Sequence, residues 1–252
     1  MALLWLVTLV WAFSFSLIGE FLAASVDPYI AVSSRMVLAL LLFLPLLLKY
    51  RTPLKLAGQL AAIGAIQLGL MYLLLYHAFL YLSVAEVLLF TILTPVYISV
   101  LDYYWRYRQL HWRWLGPALL AVLGALVIRY QQLSAEFWWG LLLIQAANFC
   151  FAVGQVAYRQ LNVGNAKQQT QQFGWFFAGA ASFSLLGALL FANWQRLPDT
   201  PLQTGILLWL GLVASGLGYL IWSIASRQVS ANQLAVMNNV LIPAGLLVNF
   251  VF

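Results

Sequence analysis

Long apolar runs alternate with short polar connections along the whole chain. Nine runs stand out, at about 2–20, 28–48, 57–79, 83–101, 114–129, 137–158, 172–192, 204–224 and 232–252. Most are long enough to cross roughly 30 Å of hydrocarbon as a helix. Lipid offers no water to backbone N–H and C=O groups, so these runs predict helices, and an all-α polytopic membrane bundle follows. Composition agrees, with 64% hydrophobic and 7% charged residues against about a quarter charged in soluble chains. The connections are too short for a soluble domain. The first run opens at Met1 with no basic flank or small-residue cleavage site, so it reads as a retained helix rather than a leader.

Within this pattern one stretch recurs. GLMYLLLYHAFLYLSVAEVLLFTILTP begins at Gly69, and GLGYLIWSIASRQVSANQLAVMNNVLIP begins at Gly216. Gly69 and Gly216, Tyr72 and Tyr219, Ala78 and Ala225, and Ser83 and Ser230 share one offset. After one inserted residue, Pro95 aligns with Pro243. The Gly-x-x-Tyr and Pro landmarks carry the match, since shared leucines would arise anyway. Five runs precede the restart, so the second copy is expected upside down, in halves 1–130 and 137–252. Inverted repeats are a common construction of secondary transporters.

The net charge of +6 changes the picture through its distribution. Lys49, Arg51, Lys55, Arg106, Arg108, Arg113, Arg159, Lys167 and Arg227 fall in every second connection. The alternate connections hold Arg129 and Arg196 with Glu20, Asp27, Glu136 and Asp199. That asymmetry predicts a cytoplasmic N-terminus. The aromatic and basic stretch DYYWRYRQLHWR, 102–113, is explained by interfacial anchoring beside anionic lipid, so nucleic acid is not a predicted partner.

Candidate chemistry lies inside the spans. Trp11 shares a helical face with Thr8, Ser14 or Phe15, and Ile18, and is either packing or a ligand wall. Arg35 lies seven residues beyond Pro28; a charge at that depth is a functional candidate, or it snorkels or bonds carbonyls to hold helices together. Tyr72, Tyr76 and Phe79 form an aromatic stripe whose hydroxyls need partners. His77 is either a proton carrier or simply wetted near the outer boundary. Glu86 is the proton-coupling candidate, because apolar surroundings disfavour its charged form; the alternative is a helix cap. Its repeat partner is Gln233. Pro95 and Pro243 are expected to kink their helices. In the sixth run Gln145, Asn148, Ala152, Gln155 and Arg159 form one face, either interhelical glue or the lining of an aqueous path. Tyr219, Trp222 and Asn238 complete the polar and aromatic set. Ala121, Ala125, Gly211 and Ser215 read as small packing residues, and NAKQQTQQ as the connection before the seventh span.

Other chemistry is missing. Cys150 is the one cysteine, so disulfides and thiolate metal sites drop out. No metal-ligand spacing, phosphate loop or nucleophile elbow occurs, so neither an enzyme nor a cofactor is predicted. The expected partners are a small-molecule substrate and membrane lipid.

The opening LVTLVWAFSFSLIGEFLA, Arg35, and the run VAEVLLFTILTPVYI resemble the EamA repeat of the drug/metabolite transporter superfamily. Together with VLGALVIRY, FWWGLLLIQAANFCFAVG, LGLVASGLGYLIW and NNVLIPAGLLVN they resemble its bacterial biotin transporters. The resemblance covers nearly the whole chain. It implies ten helices in two inverted repeats, an inner-membrane location and secondary uptake of biotin. Nine runs are present, so the expected tenth helix is missing from this sequence. For a substrate with a carboxylate, a ureido ring and an apolar thioether, Arg35 suits the carboxylate. Gln145, Asn148 and Asn238 suit the ureido group, and Trp11, Tyr72, Tyr76, Tyr219 and Trp222 suit flat walls. An EamA exporter of amino acids or other metabolites, and a non-transporting membrane scaffold subunit, are the other readings.

Overall fold

A computed structural model describes residues 1–109 and 134–251. Helices dominate it, as the apolar runs require: α1 (Ala2–Phe21), α2 (Pro28–Lys49), α3 (Leu54–Ala78), α4 (Val84–Tyr107), α5 (Ala135–Gln160), α6 (Ala166–Phe191), α7 (Pro201–Ser226) and α8 (Ala231–Val251). The first seven are long and apolar enough to cross a membrane. The expected span 114–129 lies outside the described residues. Two boundaries differ from the sequence reading. Residues 102–107 continue α4 instead of forming a connection, held by an ion pair from Arg106 to Asp102 at 3.0 Å one turn apart. The polar NAKQQTQQ is largely helical, because Asn165 and Gln168 form a reciprocal capping box that starts the helix early.

Connections at the same end of the bundle are tied together. Asp27 caps α2 by accepting from Tyr29 N and Ile30 N, and its other oxygen accepts from Asn193 N. Arg196 donates to Ala24 O and Ser25 O, so the 22–27 and 192–200 connections meet. At the ends of α5 and α7, Arg227 donates to the carbonyls of Tyr158, Arg159 and Leu161. Arg159 reciprocates to Val229 O. Cations at helix C-termini satisfy carbonyls that have no helical partner and sit favourably in the dipole.

α6 packs on α2 and α3, α1 on α8 and α7, and α5 on α3 and α4. Small residues permit the closest of these approaches. A Cβ on Gly64 of α3 would lie 1.8 Å from Phe176 O, and one on Gly179 of α6 would lie 1.8 Å from Ala61 O. With lipid outside, such close backbone packing replaces the hydrophobic drive of soluble cores.

Three local devices shape the interior. α3 and α7 each contain a wide π turn, at Ala65–Leu70 and Leu210–Leu217. On returning to α register, Met71 N reaches Ile66 O and Leu68 O, while Gly218 N reaches Val213 O and Ser215 O. Both pass over the carbonyl four residues back, and Met71 and Gly218 stand at the offset that separates Gly69 from Gly216. The capping boxes repeat too. Glu86 accepts from Ser83 N at the head of α4, and Gln233 accepts from Ser230 N at the head of α8.

The third device is the break at Pro95. Having no N–H, Pro95 cannot serve Thr91 O. A 3₁₀ turn over Thr91–Leu93 gives that carbonyl the N–H of Thr94 instead. α8, by contrast, runs without interruption through Pro243.

Candidate functional site

α1, α3, α4, α5, α7 and α8 surround one cavity of about 640 Å³, counting its opening. α1 contributes Trp11, Ser14, Phe15 and Ile18, and α3 contributes Met71, Tyr72 and Leu75. α4 adds Thr91 and Thr94, and α5 adds Ala147, Asn148 and Phe151. Tyr219 of α7 with Asn238 and Leu241 of α8 close the ring. The wall is mostly aromatic and aliphatic, with a few amide and hydroxyl groups.

Trp11 is fixed on several sides. Its ring lies 4.7 Å from Tyr219 and 4.8 Å from Trp222, with Phe151 edge-on at 6.2 Å. Its indole N–H donates to Ala214 O at 2.9 Å. That acceptor is the carbonyl over which Gly218 passes as the π turn closes. Trp222 donates in turn to Gln155 Oε1 at 3.0 Å. The α1 face read from the sequence is therefore both packing and cavity wall.

Arg35 lies just behind that wall and is fully buried. Its Nε donates to Ser215 Oγ in the π turn of α7, and its Nη2 donates to Tyr72 Oη at 2.8 Å. The guanidinium also lies over the Tyr72 ring, 3.9 Å from its centre. Thus Arg35 neither snorkels nor bonds backbone carbonyls. Tyr72 separates it from the cavity. Tyr76, 1% exposed, stands beside Tyr72 with ring centres 6.4 Å apart.

The α5 amides answer the break in α4. Phe90 O, released when Thr94 N turns to Thr91 O, accepts from Gln145 Nε2 at 3.1 Å and Asn148 Nδ2 at 3.0 Å. Gln145 Oε1 accepts from Tyr97 Oη at 3.1 Å. These amides are interhelical bonds first, although Asn148 also reaches the cavity.

Of the residues singled out from the sequence, Trp11, Tyr72, Asn148, Tyr219 and Asn238 meet at the cavity. Arg35, Tyr76 and Trp222 form a second layer, and Gln145 faces α4. Glu86 lies at the head of α4, where Ser83 N and Oγ both donate to it at 2.9 Å. His77 places Nδ1 2.7 Å from Leu73 O beside Tyr29, a contact that puts the proton on Nδ1. Sequence reading missed Ser215 as an arginine partner, and Phe151 and Met71 as wall residues. Ser215 had one legible signal, its place immediately before the repeated stretch that begins at Gly216.

The EamA-like transporter family model matches residues 1–130. The chain belongs to that family. It is therefore a multi-pass membrane transporter and not an enzyme, in keeping with the resemblance read from the sequence. A biotin transporter of Escherichia coli (strain K12) is 49% identical over 249 residues, covering 99% of this chain and 83% of its own. A biotin transporter of Salmonella typhimurium matches at the same identity and coverage. A solved crystal structure superposes with a TM-score of 0.72 over 99% of this chain and 87% of its own at 19% identity, a likeness of fold alone.

Proposed function

We propose that this chain imports biotin across the bacterial cytoplasmic membrane as a secondary carrier. The observation that carries the reading is 49% identity over 99% of the chain to proteins that bear the name biotin transporter. The cavity chemistry supports it. A thioether-bearing bicycle suits Trp11, Phe151 and Tyr219, and a ureido group suits the amides of Asn148 and Asn238 at the same wall. Gln145 backs Asn148, since the two share Phe90 O. The carboxylate is assigned to Arg35, screened by Tyr72 and flanked by Tyr76, while Trp222 fixes Trp11 from behind. Glu86 is the proposed coupling carboxylate.

Transport proceeds by alternating access between two inverted halves, 1–130 and 137–252, with the N-terminus in the cytoplasm. Matched π turns and capping boxes at the repeat offset support two equivalent halves. Pairing of the 22–27 connection with 192–200, and of the end of α5 with the end of α7, supports the charge-derived sidedness. The test is uptake of labelled biotin by a biotin-auxotrophic strain that carries this gene as its sole importer. Saturable uptake is expected. No uptake at normal membrane expression overturns the substrate, and efflux from the cells would point to an exporter.

A further inference from the structure

Arg35 is a buried cation without a carboxylate partner among the described residues. The one ion pair among those residues joins Arg106 to Asp102, far along α4. Among the described residues its hydrogen bonds go to neutral hydroxyls: Tyr72 Oη on Nη2 and Ser215 Oγ on Nε. Two polar atoms in the same cluster have no hydrogen-bond partner, Arg35 Nη1 and Tyr76 Oη. Arg35 and Tyr76 are 0% and 1% exposed, so water does not compensate either atom. Their side chains adjoin, within reach of a weak contact with each other but without the geometry of a hydrogen bond. Leaving a guanidinium N–H unpaired in a protein interior is costly, because desolvation is not offset by a bond.

These observations share one explanation. We propose that Arg35 Nη1 and the Tyr76 hydroxyl form a carboxylate-binding corner behind the cavity wall, with Tyr72 as its movable screen and Ser215 as its positioning residue. The ligand class is a monocarboxylate carried on an apolar body. Two donors, one of them cationic, match the two oxygens of a carboxylate. Tyr72 lines the cavity on one side and covers the guanidinium on the other, so rotation of that one ring connects the two. Ser215 holds the Nε edge from the opposite repeat, which leaves the Nη1 edge as the free face. Because the bond runs from α2 to the π turn of α7, it aims the guanidinium across the interface between the two halves. The inference rests on the biotin reading and goes beyond it in making the Tyr76 hydroxyl a second donor, Ser215 the positioning residue and Tyr72 a movable screen.

The experiment compares binding of biotin and of biotinamide, its uncharged carboxamide, to the purified full chain by titration of tryptophan fluorescence. Trp11 at the wall, with Trp222 packed behind it, provides the signal. Wild type is expected to prefer biotin by about tenfold or more, the order of a hydrogen bond to a charged group. Tyr76→Phe and Ser215→Ala are expected to bring that ratio toward one. A packing role for either residue would weaken both ligands alike and leave the ratio in place, which overturns its part in the corner. Equal binding of both ligands by wild type overturns the corner while the biotin reading stands. Binding of neither ligand overturns the biotin reading and this inference with it.

Discussion

At the scale of single residues, the interior is organised by donors that find carbonyls or hydroxyls on another helix. Trp11 is the clearest case, because its indole N–H and its ring do separable jobs. Trp11→Phe keeps an aromatic ring in the cavity wall and removes the bond to Ala214 O. The expected cost is about 1–3 kcal/mol of stability, the range for a buried acceptor left without its donor. It is read as a lower melting temperature in detergent, while a loss below about 0.5 kcal/mol would mean that water reaches the Ala214 carbonyl. Glu86 supports a sharper separation. Gln233 accepts from Ser230 N and Oγ just as Glu86 accepts from Ser83 N and Oγ, so the cap does not require a charge. Glu86→Gln keeps both cap contacts of this buried side chain and is therefore expected to melt within about 1 kcal/mol of wild type, the size of a charge at a helix N-terminus. With stability matched, uptake measured from mildly acidic to mildly alkaline pH isolates coupling. Concentrative uptake that is unaltered across that range would remove Glu86 from the mechanism.

At the scale of elements, Pro95 and the α5 amides form one unit. The proline diverts Thr94 N to Thr91 O, and the carbonyl thereby released at Phe90 is shared by Gln145 and Asn148. Two donors on one acceptor predict a coupled response. Gln145→Leu and Asn148→Leu should each cost little, because the remaining amide still serves Phe90 O. The double variant strands that carbonyl, with about 1–3 kcal/mol expected beyond the sum of the singles. Additive melting shifts in the double-mutant cycle would contradict the shared-acceptor account. Sequence reading found the amide face by its helical spacing but left its purpose open between glue and lining. The carbonyl it serves belongs to a helix some fifty residues earlier, and spacing within α5 says nothing about that distance. The π turns were illegible for a related reason. Their signature is a hydrogen bond moved by one residue, and the apolar pattern of α3 and α7 continues through them.

At the scale of the whole molecule, the charge asymmetry and the paired connections make the same claim about sidedness. A cysteine at Asn193 should react with a membrane-impermeant maleimide added to intact cells, whereas one at Arg51 should react only after permeabilisation. The reverse pattern would invert the proposed orientation. Cys150 is buried within α5 and should leave the background low. For the eight described helices, existence and most bounds were determined by the sequence alone, because hydrocarbon leaves a spanning chain no other way to satisfy its backbone. The π turns and capping boxes fall at the offset read from the sequence, because both act through local backbone geometry, whereas Pro95 and Pro243 do not act alike. What only the tertiary structure decided is which side chains share a space. It brought Trp11, Tyr72, Asn148, Tyr219 and Asn238 to one cavity, moved Arg35 one layer behind Tyr72, and turned Ser215 from a packing residue into the partner of a buried cation. Those outcomes depend on how helices distant in sequence cross and rotate against one another. A helical period fixes which residues share a face, and the packing of small residues at the crossings selects what that face meets.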